Sequence, residues 1–430
     1  MDNKFWYGLK SEVYVRLCDD KALIYDTKQK FCRISEDKHV IRLLQTAEED
    51  ESLGCVLIDE SWQHPSVKDW IQSTCERGMA VTFPYNEGGE HPVVLRPLLS
   101  LNKDVDQIED DKVKPLFWGG NVKHFLNTFT IYLNSYCSHL CIGCAYYCKQ
   151  IPFCTSYESE GRYSMPPHQL SSILEEVSSF PVGHINIFGG DIYEEKSLAI
   201  LEGAAIRYSM HFRFHTHYLT YRENVFVDSQ EVHLLIPAHF DYSRLMSVCK
   251  HMMAKNRVLD FVVEGVDDVQ AVESFIENND VDSFKMHPYY NGKNEPFFRE
   301  NIYMSEEDLM NTEISMREIF RNQKLNANNF GALYVMPDGG IKSHVDGLIL
   351  GYAGKDEIVD IIYKELTENT AWRKVRNKEP CSRCVFQFLC PPPSNYESAI
   401  GKNNLCYMRN NKIECLIFKK KDYAEKTEIM

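Results

Sequence analysis

Residues 131 to 154, IYLNSYCSHLCIGCAYYCKQIPFC, hold five cysteines, at positions 137, 141, 144, 148 and 154. The thiolate of cysteine is a nucleophile, a redox group and a soft metal ligand. Cys137, Cys141 and Cys144 stand in the spacing Cys-x3-Cys-x2-Cys behind an alternating β-branched and aromatic run, TFTIYLN. Three thiolates on one loop can hold three irons of a four-iron, four-sulfur (4Fe-4S) cluster and leave the fourth iron open for chemistry. The same loop could instead form a zinc knuckle, with His139, Cys148 or Cys154 as the fourth ligand. A second group, Cys381, Cys384, Cys390 and Cys406, lies in EPCSRCVFQFLCPPPSNYESAIGKNNLC. Four protein thiolates close a cluster or a zinc site completely, which suits electron relay or structural stapling.

The rest of the composition limits the alternatives. The chain has 430 residues and 15 cysteines, and the start MDNKFWYGLKSEVY carries no signal-peptide core. A cytoplasmic location is expected, and there clustered thiols read as ligands or redox groups. Cys18, Cys32, Cys55, Cys75 and Cys249 are scattered and read as small core hydrophobes. A net charge of −15 argues against a nucleic-acid partner. No apolar run reaches the roughly 20 residues needed to span a bilayer, so no membrane partner is expected.

The elements that would carry these residues follow from the pattern. Residues 1 to 98 read as a small α+β module: SEVYVRL and KALIYDT form a hairpin, a helix begins at Ser35, CVLIDE is a strand, Pro65 opens a second helix, and AVTFPY returns. SLNKDVDQIEDDKVK is a charged linker. From 120 to 330 six strand-like runs, TFTIYLN, HINIFGGD, HFRFHTHYL, VHLLIPAHF, RVLDFVVEGV and DSFKMHPYY, alternate with helical segments. Such βα units predict a parallel sheet or barrel with its chemistry at the C-terminal strand ends. Residues 331 to 430 are irregular, with a Pro-Asp-Gly turn, a helix near 356 to 376 and the second cysteine group.

The Cys-x3-Cys-x2-Cys loop after the first strand of a βα region resembles the radical S-adenosylmethionine (SAM) superfamily. The likeness implies an α/β core built as a partial (β/α)6 barrel. In that family SAM chelates the open iron, and its reductive cleavage yields a 5′-deoxyadenosyl radical. The run INIFGGD is similar to the family's Gly-Gly-Glu segment, which implies that Gly189, Gly190 and Asp191 orient SAM. Two positions depart from the family pattern: Gly143 stands where an aromatic is usual, and Asp191 is one methylene shorter than Glu. Cys148 and Cys154 lie outside the motif and read as structural or shielded thiols.

The second cysteine group resembles the C-terminal SPASM region of radical SAM peptide-modifying enzymes. Ser394 occupies one further ligand position of that pattern, and no cysteine follows the Pro-Asp-Gly turn of VMPDGGIKSHVDG. The likeness therefore implies one auxiliary 4Fe-4S cluster, and two clusters in the chain. Residues 1 to 98 are similar in element order to a winged-helix leader-binding module, the RiPP recognition element, which would pair a leader peptide with an exposed hairpin edge. These resemblances imply an enzyme that modifies a ribosomally synthesised precursor peptide. Two other readings stand beside it: a degenerate homologue serving as peptide-binding partner of an active maturase subunit, and an iron-free zinc scaffold. Catalytic residues are not assignable, although His217, His239 and Asp241 fall at later strand ends.

Overall fold

The computed structural model describes residues 4–97, 120–137, 139, 141, 144–154, 163–222, 225, 230–250 and 257–407, with isolated positions between 110 and 118. The linker expected over 100 to 114 falls almost wholly outside the described residues, as do Gly143 and Cys415.

The described residues of the first hundred carry six strands: β1 (Phe5–Leu9), β2 (Val13–Leu17), β3 (Ala22–Asp26), β4 (Phe31–Ser35), β5 (Cys55–Ile58) and β6 (Ala80–Pro84). They form two antiparallel sheets, in the orders β5-β1-β6 and β2-β3-β4. The hairpin read from the sequence is β2 with β3, closed where Cys18 N–H donates to Lys21 O (2.8 Å). Strands β1 and β4 were not anticipated. The first helix, Lys38–Glu48, is capped by Asp37 rather than Ser35, because the Asp37 carboxylate accepts from the N–H groups of His39 and Val40. Ser35 instead ends β4, and its hydroxyl accepts from the Asp37 N–H.

Strand β3 is buried along its whole length. Ala22 and Ile24 face a core built with Leu43, Leu44 and Trp70, while Leu23 and Tyr25 face Leu309, Ile319, Phe386 and Leu389 near the far end of the chain. The Tyr25 hydroxyl donates to Thr312 O (2.8 Å) and accepts from Ile314 N–H (3.0 Å), and Arg16 donates to Ser382 O (3.0 Å). The meander β2-β3-β4 is thus a wall between two cores.

The six runs expected to be strands are strands: β7 (Thr128–Tyr132), β8 (Ile185–Phe188), β9 (Phe212–His217), β10 (Glu231–Ile236), β11 (Arg257–Val263) and β12 (Phe284–Pro288). All neighbours among them are parallel and lie in chain order. The sheet does not stop at residue 330. Strand β13 (Ala332–Val335) pairs in parallel with the outer side of β7, and β14 (Gly340–Lys342) and β15 (Gly351–Tyr352) follow antiparallel. Gly339 makes the Pro-Asp-Gly turn between β13 and β14 at φ +85, a conformation that side chains with a Cβ rarely adopt. The fold is therefore mixed α/β around one large, mainly parallel sheet.

Period-2 alternation sorts the strand residues onto two faces. Phe129 and Ile131, Ile185 and Ile187, Leu234 and Phe261 pack with the helices. The helix Pro167–Val177 shows the complementary pattern, burying Leu170, Ile173, Leu174 and Val177 at helical spacing. On the other face, Tyr132, Phe188, Leu235 and Val262 meet the short helix Cys144–Gln150 and the turn after it. No helix among the described residues is long and apolar enough to cross a membrane.

Candidate functional site

The first cysteine loop leaves β7 at its C-terminal end. Asn134, fully buried two residues beyond the strand, accepts at Oδ1 from the N–H groups of Gly190 (2.9 Å) and Asp191 (3.3 Å). Its amide donates to Asp191 O (2.6 Å). One side chain thus fastens the Gly-Gly-Asp turn after β8 to the start of the cysteine loop. Gly190 completes the fastening by having no side chain: a Cβ there would overlap the Tyr136 carbonyl and lie 2.9 Å from Cys137 Cα. The close approach at Gly190 is to the cysteine loop itself. Asn134 was missed from sequence; the only signal was an Asn directly behind a buried strand.

Cys137 and Cys141 are half-buried on this loop, and the His139 N–H donates to Cys137 Sγ (3.4 Å). Cys141 Sγ lies 3.2 Å from Nε2 of His217, the last residue of β9. Cys144 opens the helix Cys144–Gln150, but its side chain lies outside the described residues. That helix is pinned by Gln150, whose amide donates to Tyr290 O (2.9 Å) and accepts from Tyr290 N–H (2.8 Å). Cys148 and Cys154 are buried in the apolar cluster with Tyr132, Tyr147 and Phe153, away from solvent. Thiols with N–H donors aimed at them are a donor set suited to an iron–sulfur cluster.

The Asp191 carboxylate is already engaged. It accepts from Tyr193 N–H (3.0 Å) and lies 3.4 Å from the Arg222 guanidinium, which also sits over the Tyr193 ring. Among the described residues, His217 is the one of the three strand-end candidates that reaches a cysteine. His239 pairs with Asp268 (2.9 Å), and Asp241 accepts from Arg244 N–H (2.9 Å) at the start of the helix Tyr242–Lys250.

A polar group that the sequence reading did not isolate occupies the same sheet face further from the cysteines. His233 of β10 lies between Glu231 (2.7 Å) and Asp260 of β11, and the other Asp260 oxygen is 2.9 Å from His287 of β12. His215 of β9 stacks on His233 (ring centroids 4.5 Å) and contacts Asn186 (3.2 Å). Burial opposes the Asp260 charge, yet hydrogen bonds with His233 and His287 hold its carboxyl below the usual range. Burial, reinforced by His233, pushes His215 well below its ordinary value. His184 and His344 are lowered too, again chiefly by burial.

The pH dependence of stability follows. Below the ordinary histidine value of 6.5 the unfolded chain takes up protons that folded His215 refuses, so stability is lost as pH falls through that value. A buried histidine held neutral costs about 1.4 kcal/mol per pH unit in that range. Thermal unfolding between pH 7.5 and 5.5 is expected to show a falling midpoint, with a shallower slope in His215→Asn.

The second group comes together as a set. Cys381, Cys384, Cys390 and Cys406 line one cavity, walled by Met304, Leu309, Phe386 and Leu405. Burial pushes the Cys384 thiol up to about 11 and the Cys390 thiol up to about 12. Such thiols ionise readily only against a bound cation or cluster. Donors are in place: Asn404 donates to Cys406 Sγ (3.4 Å) and Arg376 to Cys381 Sγ (3.8 Å). Arg376 is buried and paired with buried Glu397 (2.7 Å). Burial works against its charge, but Cys390 and Glu397 hold the guanidinium above the usual arginine range. Ser394 caps the helix Asn395–Ile400.

No family model matches the chain, and no curated protein matches it. Among solved structures the chain is similar to Streptococcus suis SuiB bound to precursor peptide SuiA, with TM-score 0.46 and 13% identity over 94% of this chain and 99% of that one. The same protein bound to S-adenosylmethionine gives TM-score 0.44 at 13% identity, with the same coverage of 94% and 99%. Native anSMEcpe with bound AdoMet and Cp18Cys peptide gives TM-score 0.43 at 15% identity, over 62% of this chain and 88% of that one.

Proposed function

We propose that the chain is a radical SAM peptide maturase acting on a ribosomally synthesised precursor peptide. Cys137, Cys141 and Cys144 hold a 4Fe-4S cluster, Gly189, Gly190 and Asp191 orient SAM, and Cys381, Cys384, Cys390 and Cys406 hold a second cluster. The observation that carries this reading is the interlock of two motifs 56 residues apart, through Asn134 and the side-chain-free Gly190. On this reading residues 120–330 are a (β/α)6 partial barrel, 331–430 a SPASM-like region and 1–98 a leader-binding module. When bound, SAM with a cluster reduced by one electron would supply radical hydrogen abstraction. The chain's own part is to orient and shield. Asp191 would accept the SAM ammonium in place of the Arg222 guanidinium, the interlocked turns would hold it beside the cysteine loop, and Tyr132 and Phe188 are buried on the sheet face below.

The pairing of Asp191 with Arg222 favours a second reading, a degenerate homologue that binds peptide for an active maturase subunit. Metal and SAM measurements separate the readings. Anaerobic reconstitution is expected to give about eight irons per chain, and replacing Cys137, Cys141 and Cys144 together by Ala to remove about half. Stoichiometric zinc without iron would sink the enzyme reading and favour the zinc scaffold.

SAM affinity provides the finer test. Loss of one charge-assisted contact in Asp191→Ala is expected to weaken SAM binding about 10- to 100-fold, on the order of 1.4 to 2.8 kcal/mol. Asp191→Glu should bind at least as well as the natural chain, and Arg222→Ala should not bind worse. Equal SAM binding in Asp191→Ala, with no deoxyadenosine formed by any variant, would transfer the chain to the partner class.

A further inference from the structure

The tautomer of His217 is fixed by its surroundings. The side chain is 1% exposed, and its ring stacks on His139 with centroids 4.9 Å apart. Nδ1 receives the Leu219 backbone N–H at 3.2 Å. A backbone N–H can only donate, so Nδ1 must present its lone pair. An imidazolium donates from both nitrogens and could not accept this N–H, so the ring is the neutral imidazole with a single proton. That proton is therefore on Nε2, the atom 3.2 Å from Cys141 Sγ.

We infer that His217 is a positioning residue that donates an Nε2–H···S hydrogen bond to Cys141 and so tunes the cluster proposed on Cys137, Cys141 and Cys144. This rests on the reading that these cysteines hold iron. The geometry distinguishes donation from ligation. A histidine that ligated a metal through Nε2 would need its lone pair there and its proton on Nδ1, facing the Leu219 N–H proton to proton. Donation leaves the open iron open. It draws electron density from the thiolate and favours the reduced cluster, because hydrogen bonds to sulfur are one of the levers that set the potential.

The test compares reconstituted holoprotein carrying His217→Phe, which keeps a flat ring without a donor, with His217→Gln, whose amide N–H can replace Nε2–H. The cluster is followed by redox titration of the electron paramagnetic resonance signal that disappears when Cys137, Cys141 and Cys144 are all Ala. His217→Phe is expected to have about tenfold less reduced cluster at a given poise, a shift of roughly 59 mV to more negative potential. His217→Gln should return most of it. Where His217→Phe fails to fold, the natural chain labelled with 15N-histidine answers instead. A weak 15N coupling to the reduced cluster supports the hydrogen bond, and a strong coupling of a direct ligand overturns it. Unchanged potentials in both variants, with iron retained, overturn this inference alone. A natural chain that shows no such signal and no iron on the first cysteines overturns it together with the reading beneath it.

Discussion

On the proposed reading, Gly190→Ala is expected to abolish iron binding by the first cysteine group while leaving that of the second. The added methyl would fall on the backbone carbonyl of Tyr136, and no side-chain rotation relieves a collision with main chain. Either the turn after β8 or the cysteine loop has to move. Both are held by Asn134, so its three hydrogen bonds go as well. Damage of this kind belongs in the exceptional class of point substitutions, on the order of 4 kcal/mol or more locally. The measurement is iron per chain after reconstitution, together with the spectroscopic signal assigned to Cys137, Cys141 and Cys144. About four irons should remain, all on the second group. Asn134→Ala should show the same loss in milder form. A Gly190→Ala chain that kept both clusters would mean that the interlock does not position the loop.

Arg376→Leu has the second largest expected effect, and it falls on the other cysteine group. The substitution removes the partner of buried Glu397 and withdraws the donor from Cys381. Leaving one member of a buried ion pair alone typically costs about 3 to 5 kcal/mol. Glu397 also accepts the Ser394 N–H, so the cap of the following helix weakens too. Thermal unfolding should register the loss, and the iron of the second group should fall while the first-site signal survives. Arg376→Leu combined with Glu397→Leu should recover part of the stability, because no charge is then stranded, but not the cluster. Full stability in Arg376→Leu alone would show that the pair contributes nothing.

The two cysteine groups and all six strands from β7 to β12 could be read from the sequence, for a shared reason. Cysteine spacing is local, and short runs rich in β-branched and aromatic residues between turns and helical segments mark strands locally too. What escaped was set by residues distant in the chain. Strand β1 became a strand by pairing with both β5 and β6, and Ser35 lost the cap to Asp37 because β4 needed it. Strand β13 joined the sheet across the expected boundary at 330, since β7 offered an open edge. Asn134, the Asp191–Arg222 pair and the Cys141–His217 contact each join residues more than 30 positions apart, and no local spacing encodes them. The group of His215, His233 and Asp260 is a different case. His233 and Asp260 are each flanked by apolar residues in their strands, whereas His215 stands among other polar residues in FRFHTH, and the set shows in the sequence once the inward face is identified.

Strand β3 gives one face to the N-terminal core and the other to residues beside the second cysteine cavity, with Phe386 and Leu309 belonging to both the cavity lining and the strand's packing. The N-terminal hundred residues are consequently not a cassette. Grafted onto another scaffold, they would bring an apolar sheet face with nothing to lean on. Left in place, they would sense the state of the cysteine cavity through a shared wall, so that loading one end of the chain would slow amide exchange at the other.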